Sequence, residues 1–160
     1  MAKHLVDAAI KAMGRPPGKP SAAATTPISG GSSTTAVHAL AEAAAVPPSL
    51  AELWQRRYGS NATAIIDLWR EDPANQEILG ARQLTRAEII YSVKEEMTAT
   101  LTDLMTRRTS TFFWDARGGL DEIDTVSTEM ARLLGWSDER REAEVASYRQ
   151  LVLEHRPARV

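Results

Sequence analysis

The sequence predicts an all-α fold: a small helical bundle preceded by a flexible segment rich in Pro, Gly and Ala. Apolar residues recur every three or four positions in five segments, the spacing that puts them on one face of a helix. Ser49, Thr85 and Ser137 each stand before such a segment with acidic residues just after them, as at capped helix starts. No convincing alternation of period two is present, and only residues 109–114 (TSTFFW) suggest a short extended segment.

The N-terminal third contains one short helix and one linker. Residues 3–13 (KHLVDAAIKAM) predict a helix with an apolar face, and Gly14 is placed to end it. Residues 15–35 hold half of the chain's eight prolines, so we expect a linker or exposed loop there. The predicted units are therefore 1–14, 15–35 and a helical domain over 36–156.

Two helices open the predicted domain. Residues 36–45 have high helix propensity, with Thr34 or Thr35 as the cap and two prolines after the end. The next helix is predicted to begin at Ser49, because Glu52 lies three residues on and completes a capping-box spacing. Gly59 is expected to end it.

The middle of the domain contains the longest periodic stretch. A helix opened by Ser60 or Asn61 ends at Asp72-Pro73. The Thr85/Glu88 pair repeats the capping-box spacing before apolar residues that recur as far as residue 105, with a break predicted near Thr98 or Thr100.

Two further helices complete the chain. A turn is predicted at Arg117-Gly118-Gly119, and the helix that follows it ends at Gly135. Ser137 then caps the last helix, and the acidic residues 138 and 139 suit its positively polarised N-terminus.

Composition excludes several classes of site. The 160-residue chain has no cysteine, which rules out disulfides and thiolate metal sites. Its three histidines lack metal-ligand spacing, and no Gly-x-Gly-x-x-Gly or P-loop sequence is present. A helix-turn-helix nucleic-acid binder is suggested by LTRAEI (84–89), but a net charge of −2 opposes it. No apolar run is long enough for a transmembrane segment, and the N-terminus is not a secretory signal.

Four charged residues are the candidate structural ion-pair or anion contacts: Glu96, Asp103, Arg107 and Arg108. The two arginines are candidates for binding a phosphate or lipid headgroup, but we favour ion pairs with Asp103 or Glu96 at a helix C-terminus. A paired, partly buried role is favoured over catalysis for Glu96. The aromatic run 112–114 (FFW) predicts a core or inter-domain contact rather than a quinone or membrane site.

Four stretches carry a resemblance to a known family: RYGSNA (57–62), ILGARQLTRAEIIYSVKEEMTATLTDLMTRRT (78–109), FFWDARGGLDE (112–122) and LLGWSDERREAEVASY (133–148). Together they resemble the C-terminal helical domain of FAD-dependent glycerol-3-phosphate dehydrogenases and the related glycerophosphate oxidases. The resemblance covers residues 57–152 and extends to 3–13, but hardly to 15–48. Lys94 stands where the family often has arginine, which keeps the charge but loses the guanidinium geometry.

The resemblance implies a non-catalytic domain of an enzyme that oxidises glycerol 3-phosphate to dihydroxyacetone phosphate with FAD. The flavin and substrate contacts of the family lie in its N-terminal part, so the resemblance puts no catalytic, cofactor or metal residue on this chain. It makes residues 1–14 the remnant helix of a flavin-binding domain, which is the expected partner. It also implies a cytoplasmic location, peripheral at the inner membrane in the complete enzyme.

Two hypotheses remain open about how the chain works. In the first, residues 3–13 and the aromatic run 112–114 dock on the flavin-binding domain, and the chain self-associates or frays over 1–48 when that partner is absent. In the second, the chain is a free-standing helical protein-interaction module without enzymatic activity.

Overall fold

The computed structural model describes residues 2–16, 19, 21–80 and 83–155. Parts of three expectations lie outside the described residues. These are positions 17, 18 and 20 of the predicted linker, positions 81 and 82 of the family-like stretch, and the predicted unit ends at 1 and 156.

The described chain is an assembly of α-helices with one very short hairpin, which confirms the all-α prediction. Residues 78–79 (β1) pair antiparallel with residues 84–85 (β2), and Ile78 faces Thr85 in the register. Short 3₁₀ turns cover Gly59–Asn61 and Pro73–Gln76, and Asp103–Arg108 forms a π-helical turn. The helices are α1 (Ala2–Ala12), α2 (Thr35–Ala43), α3 (Pro48–Tyr58), α4 (Ala62–Glu71), α5 (Arg86–Glu95), α6 (Thr111–Trp114), α7 (Ile123–Leu134) and α8 (Asp138–His155).

Two hydrophobic cores meet at α5. The first core lies among α2, α3 and α4, where the Trp54 and Trp69 rings pack edge to face at 5.6 Å. The second lies among α5, the π-helical turn, α7 and α8, and the Tyr148 hydroxyl donates to the carbonyl of Gly118 at 2.6 Å. Because α5 supplies Tyr91 to the first core and Ile89 to the second, the two cores share one helix.

Several predicted helix ends are confirmed. Thr85 caps α5 with the reciprocal capping box, in which the Thr85 hydroxyl accepts from the Glu88 amide and the Glu88 carboxylate accepts from the Thr85 amide. Gly59 ends α3 with φ of 58°, and Gly135 ends α7 in the left-handed conformation. Ser137 accepts from the amide of Arg140 at the start of α8.

Two predicted caps are wrong. Ser49 does not open α3, because Pro48 occupies the first helical position, where its fixed φ suits the helix and its missing N–H costs nothing. Thr34 precedes α2 but makes no capping hydrogen bond, since its hydroxyl accepts from the Gln55 side chain at 3.2 Å instead.

The predicted extended segment at 109–114 is also wrong. Residues 111–114 form the single turn α6, because Ser110 takes a left-handed conformation and its carbonyl accepts from the amides of Phe113 and Trp114. The hairpin of β1 and β2 was not predicted, since two-residue strands are too short to show a period.

None of the side chains described in the N-terminal helix α1 belongs to either core. Leu5 and Val6 are 75% and 55% exposed, and Ile10 is half-buried. Its end has the expected glycine, with the amides of Gly14 and Arg15 bonded back to Lys11 and Ile10. The following segment contacts the domain at Gly30, whose carbonyl accepts from the Ser60 amide at 3.0 Å.

Candidate docking surface

The predicted charged residues lie on either side of a break in the helical chain. Helix α5 ends at Glu95, and Met97 then has a positive φ of 56°. A new helical turn begins where the Asp103 amide donates to the Thr100 hydroxyl at 3.1 Å. This turn continues as the six-residue π-helix that ends at Arg108. Such π-helical turns often occur at functional sites, which makes the surroundings of Arg108 a candidate site.

Three of the four candidate residues, Glu96, Asp103 and Arg107, have polar partners within the chain. Arg107 pairs with Asp103 one turn earlier, and about two thirds of the Arg107 side chain is exposed. The half-buried Glu96 accepts from the Ser92 hydroxyl at 3.2 Å, so no arginine is needed to account for its position. Binding of an external anion by Arg107, the alternative to its ion pair with Asp103, stays a prediction.

Arg108 is placed differently from Arg107. It is exposed, none of the ion pairs among the described residues includes it, and it lines an open pocket of about 290 Å³. We call this the Arg108 pocket, and its lining residues are Arg57, Arg108, Thr109, Ser110 and Trp114. The two neighbouring arginines of the sequence therefore have separate environments.

The aromatic run next to this pocket is divided between core and surface. Phe112 is buried in the second core and stacks edge to face on Phe113 at 5.0 Å. Phe113 and Trp114 are 60% and 70% exposed. Exposed neighbouring aromatics beside an arginine have the composition typical of interface anchors.

One lining residue of the Arg108 pocket, Arg57, belongs to a buried polar network that the sequence did not reveal. Glu88 is fully buried, and its carboxylate accepts from Arg57 Nη1 at 2.8 Å and from the Tyr58 hydroxyl at 3.1 Å. It also accepts from the amide and hydroxyl of Thr85. The sequence signal was the capping box alone, because the partners on α3 lie about thirty positions away.

Burial changes the pKa of one member of this network, Tyr58. Burial raises the pKa of the Tyr58 hydroxyl well above its ordinary value, and the nearby Glu88 carboxylate raises it further by repelling the phenolate. Tyr58 is therefore a neutral hydrogen-bond donor at physiological pH. A neutral donor and a saturated carboxylate hold a structure in place, which fits support for the pocket wall better than proton transfer.

A second groove lies between α4 and α5 on another part of the surface. It measures about 460 Å³ and is lined by Asp67, Glu71, Tyr91, Lys94 and Glu95, among others.

No group of three His, Asp or Glu side chains within the described residues is arranged to hold a metal ion. None of the described helices has the length and hydropathy needed to cross a bilayer.

Comparison with known families decides the identity of the domain. A family model described as the C-terminal domain of alpha-glycerophosphate oxidase matches residues 21–141. The chain belongs to this family. The match begins inside the segment 15–48, where the sequence itself showed little resemblance.

Two glycerol-3-phosphate dehydrogenases contain a similar sequence. The aerobic glycerol-3-phosphate dehydrogenase of Bacillus subtilis is 30% identical over 166 residues, which cover 95% of this chain and 30% of that protein. The probable mitochondrial glycerol-3-phosphate dehydrogenase of Dictyostelium discoideum is 31% identical over 100 residues, or 62% of this chain and 16% of that protein. The chain thus spans less than a third of the length of these relatives.

A solved structure has the same fold. It is described as glycerol-3-phosphate dehydrogenase from Bacillus halodurans complexed with FAD, and it superposes with a TM-score of 0.69 at 22% identity. The superposition covers 95% of this chain and 32% of that chain. The domain fold of the family is therefore present here almost throughout.

Proposed function

We propose that this chain is the non-catalytic C-terminal helical domain of an FAD-dependent glycerol-3-phosphate dehydrogenase. The complete enzyme would oxidise glycerol 3-phosphate to dihydroxyacetone phosphate and reduce FAD. The observation that carries the proposal is the family match over residues 21–141, together with relatives named for this activity. In this proposal, as the resemblance implies, the flavin and substrate contacts would lie in the part of those enzymes outside the match.

The partner in this proposal is the flavin-binding domain of the same enzyme. Residues 1–14 would be the helix that continues from that domain, 15–35 the connection, and 36–156 the helical domain itself. Support comes from α1, whose apolar Leu5 and Val6 are exposed, and from the exposed aromatics of α6. Burying one such side chain contributes about 1.5–3 kcal/mol, so a partner surface would gain from covering them.

The location that accompanies this function is cytoplasmic, peripheral at the inner membrane when the enzyme is complete. Names of the relatives support a setting in respiratory metabolism, since one is called aerobic and another mitochondrial. Fractionation of cells expressing the complete enzyme, with salt and carbonate washes of the membranes, measures this directly.

A binding experiment tests the proposal. The full 160-residue chain is mixed with the separately purified flavin-binding domain of the Bacillus subtilis relative and analysed by size-exclusion chromatography at the flavin absorbance. We expect a one-to-one complex. Leu5→Asp should weaken it, whereas Leu153→Asp on α8, at a similarly exposed leucine, should not. If no complex forms, or if both variants bind like the unmodified chain, docking through α1 is refuted.

A further inference from the structure

Charge balance around the Arg108 pocket leaves one cation available. Arg57, which lines the pocket, is compensated by the buried Glu88 carboxylate at 2.8 Å, and Arg107 is compensated by Asp103. Arg108 also lines the pocket but is exposed to solvent and has no ion pair among the described residues. The pocket therefore carries about one net positive charge, on the residue type that binds carboxylates through a planar fork.

The backbone around the pocket is held in an uncommon shape. The π-helix ends at Arg108, and the buried Thr109 hydroxyl is bonded to the Leu104 carbonyl at 2.9 Å. Ser110 then has a positive φ of 55°, which is unusual for a residue with a side chain. Arg108, Ser110 and Trp114 all line the pocket beside this segment.

We propose that the Arg108 pocket binds a carboxylate side chain of the flavin-binding domain, with Trp114 covering the apolar surface beside that carboxylate. The proposal rests on the proposed function, because it names the anchor of the same docking surface. A single uncompensated guanidinium matches the single charge of an aspartate or glutamate better than the greater charge of a phosphate. The 70% exposed indole adds an apolar contact that a free inorganic ion would not use.

The sequence contains a matched control for this proposal. Arg107 and Arg108 are adjacent, both are exposed, and both end the same turn, but only Arg108 lines the pocket. An effect of overall charge on association would be equal for the two residues. A specific contact would be confined to Arg108.

The test measures the dissociation constant between the full chain and the Bacillus subtilis flavin-binding domain by isothermal titration calorimetry. Arg108→Ala should weaken binding about tenfold and Arg108→Lys by less, because lysine keeps the charge but not the fork. Arg107→Ala should change it less than about twofold. Circular dichroism of each variant establishes that the helices are intact.

Three results would overturn the proposal, and they separate it from the proposed function. If the unmodified chain does not bind, both ideas fail. If it binds and the two alanine variants bind equally, docking stands and the carboxylate anchor is wrong. If inorganic phosphate, but not acetate, shifts the Trp114 indole NMR signal of the isolated chain at submillimolar concentration, the pocket is a small-anion site instead.

Discussion

Replacing Arg57 with methionine is expected to destabilise the chain far more than replacing Arg107. The substitution leaves the Glu88 carboxylate buried with three of its four described donors, namely the Tyr58 hydroxyl and the amide and hydroxyl of Thr85. All three are neutral groups. The remaining charge then lacks its compensating cation in a place that water does not reach.

The structure sets the size of this effect. Breaking a fully buried ion pair from one side costs about 3–5 kcal/mol, and the Arg57 side chain is still 15% exposed, so we expect about 3 kcal/mol. Arg107→Met removes an exposed ion pair between two residues one helical turn apart, and it should lower the free energy of unfolding by about 0.3–0.5 kcal/mol. Methionine preserves most of the aliphatic volume in both variants, so the comparison isolates the charge.

Urea unfolding followed by circular dichroism gives the two free energies, and thermal unfolding gives an independent check. A loss of about 3 kcal/mol corresponds to a melting temperature lower by roughly 6–12 °C for a domain of this size. If Arg57→Met costs no more than Arg107→Met, the Glu88 carboxylate does not depend on its cation. The reasoning about the buried network would then be refuted.

Three further predictions follow from other parts of the structure. A methyl group at Gly119, where φ is 76°, would lie 2.4 Å from Met105 Cε and 2.7 Å from Thr111 Cγ2. Gly119→Ala should therefore lower the free energy of unfolding in urea by about 2–4 kcal/mol. Gly135→Ala, where the space is open, should lower it by about 1 kcal/mol, and equal losses would contradict the packing at Gly119. Because the pKa of Tyr58 is raised by folding, its contribution to stability is complete below the ordinary tyrosine pKa of about 10 and is lost as pH rises through the folded pKa. Tyr58→Phe should then lose less stability than the unmodified chain between about pH 9 and 11, and parallel urea midpoints would show that this reasoning is wrong. Amide hydrogen exchange of the monomer should be much faster in α1 than in α5, and exchange in α1 should slow when the flavin-binding domain is added. Equal protection of α1 and α5 in the free monomer would exclude docking through α1.

Local signals predicted the helices well wherever the determining atoms are close in sequence. Thr85 and Glu88 satisfy each other within one turn, and Gly135 takes the left-handed conformation that its position requires. Ser49 has the same spacing as Thr85 but loses to Pro48, because a proline at the first helical position sets the start of the helix by itself. The covalent constraint on φ of Pro48 therefore outweighs the side-chain cap that Ser49 offers.

The candidate surface was predicted less completely, because it depends on contacts between distant parts of the chain. The sequence correctly drew attention to the arginine pair and the aromatic run, and its i,i+4 spacing correctly favours Arg107 as the partner of Asp103. It does not predict that Arg108 lines a pocket, because the π-helical turn that ends there has no simple periodic pattern. The sequence predicts only a capping role for Glu88. No local pattern indicates that Arg57 and Tyr58 of another helix donate to its carboxylate.

The sharing of α5 by two cores has a consequence for cooperativity. A conventional small domain has one core, and loss of any part of it weakens the whole, whereas here each core has its own set of helices and only α5 belongs to both. Pulling α2 or α3 away would leave the second core largely packed, and losing α8 would leave the first one. Loss of α5 would remove a wall from both at once. The two cores are thus joined by one helix, and we expect their cooperative unfolding to depend on those ten residues.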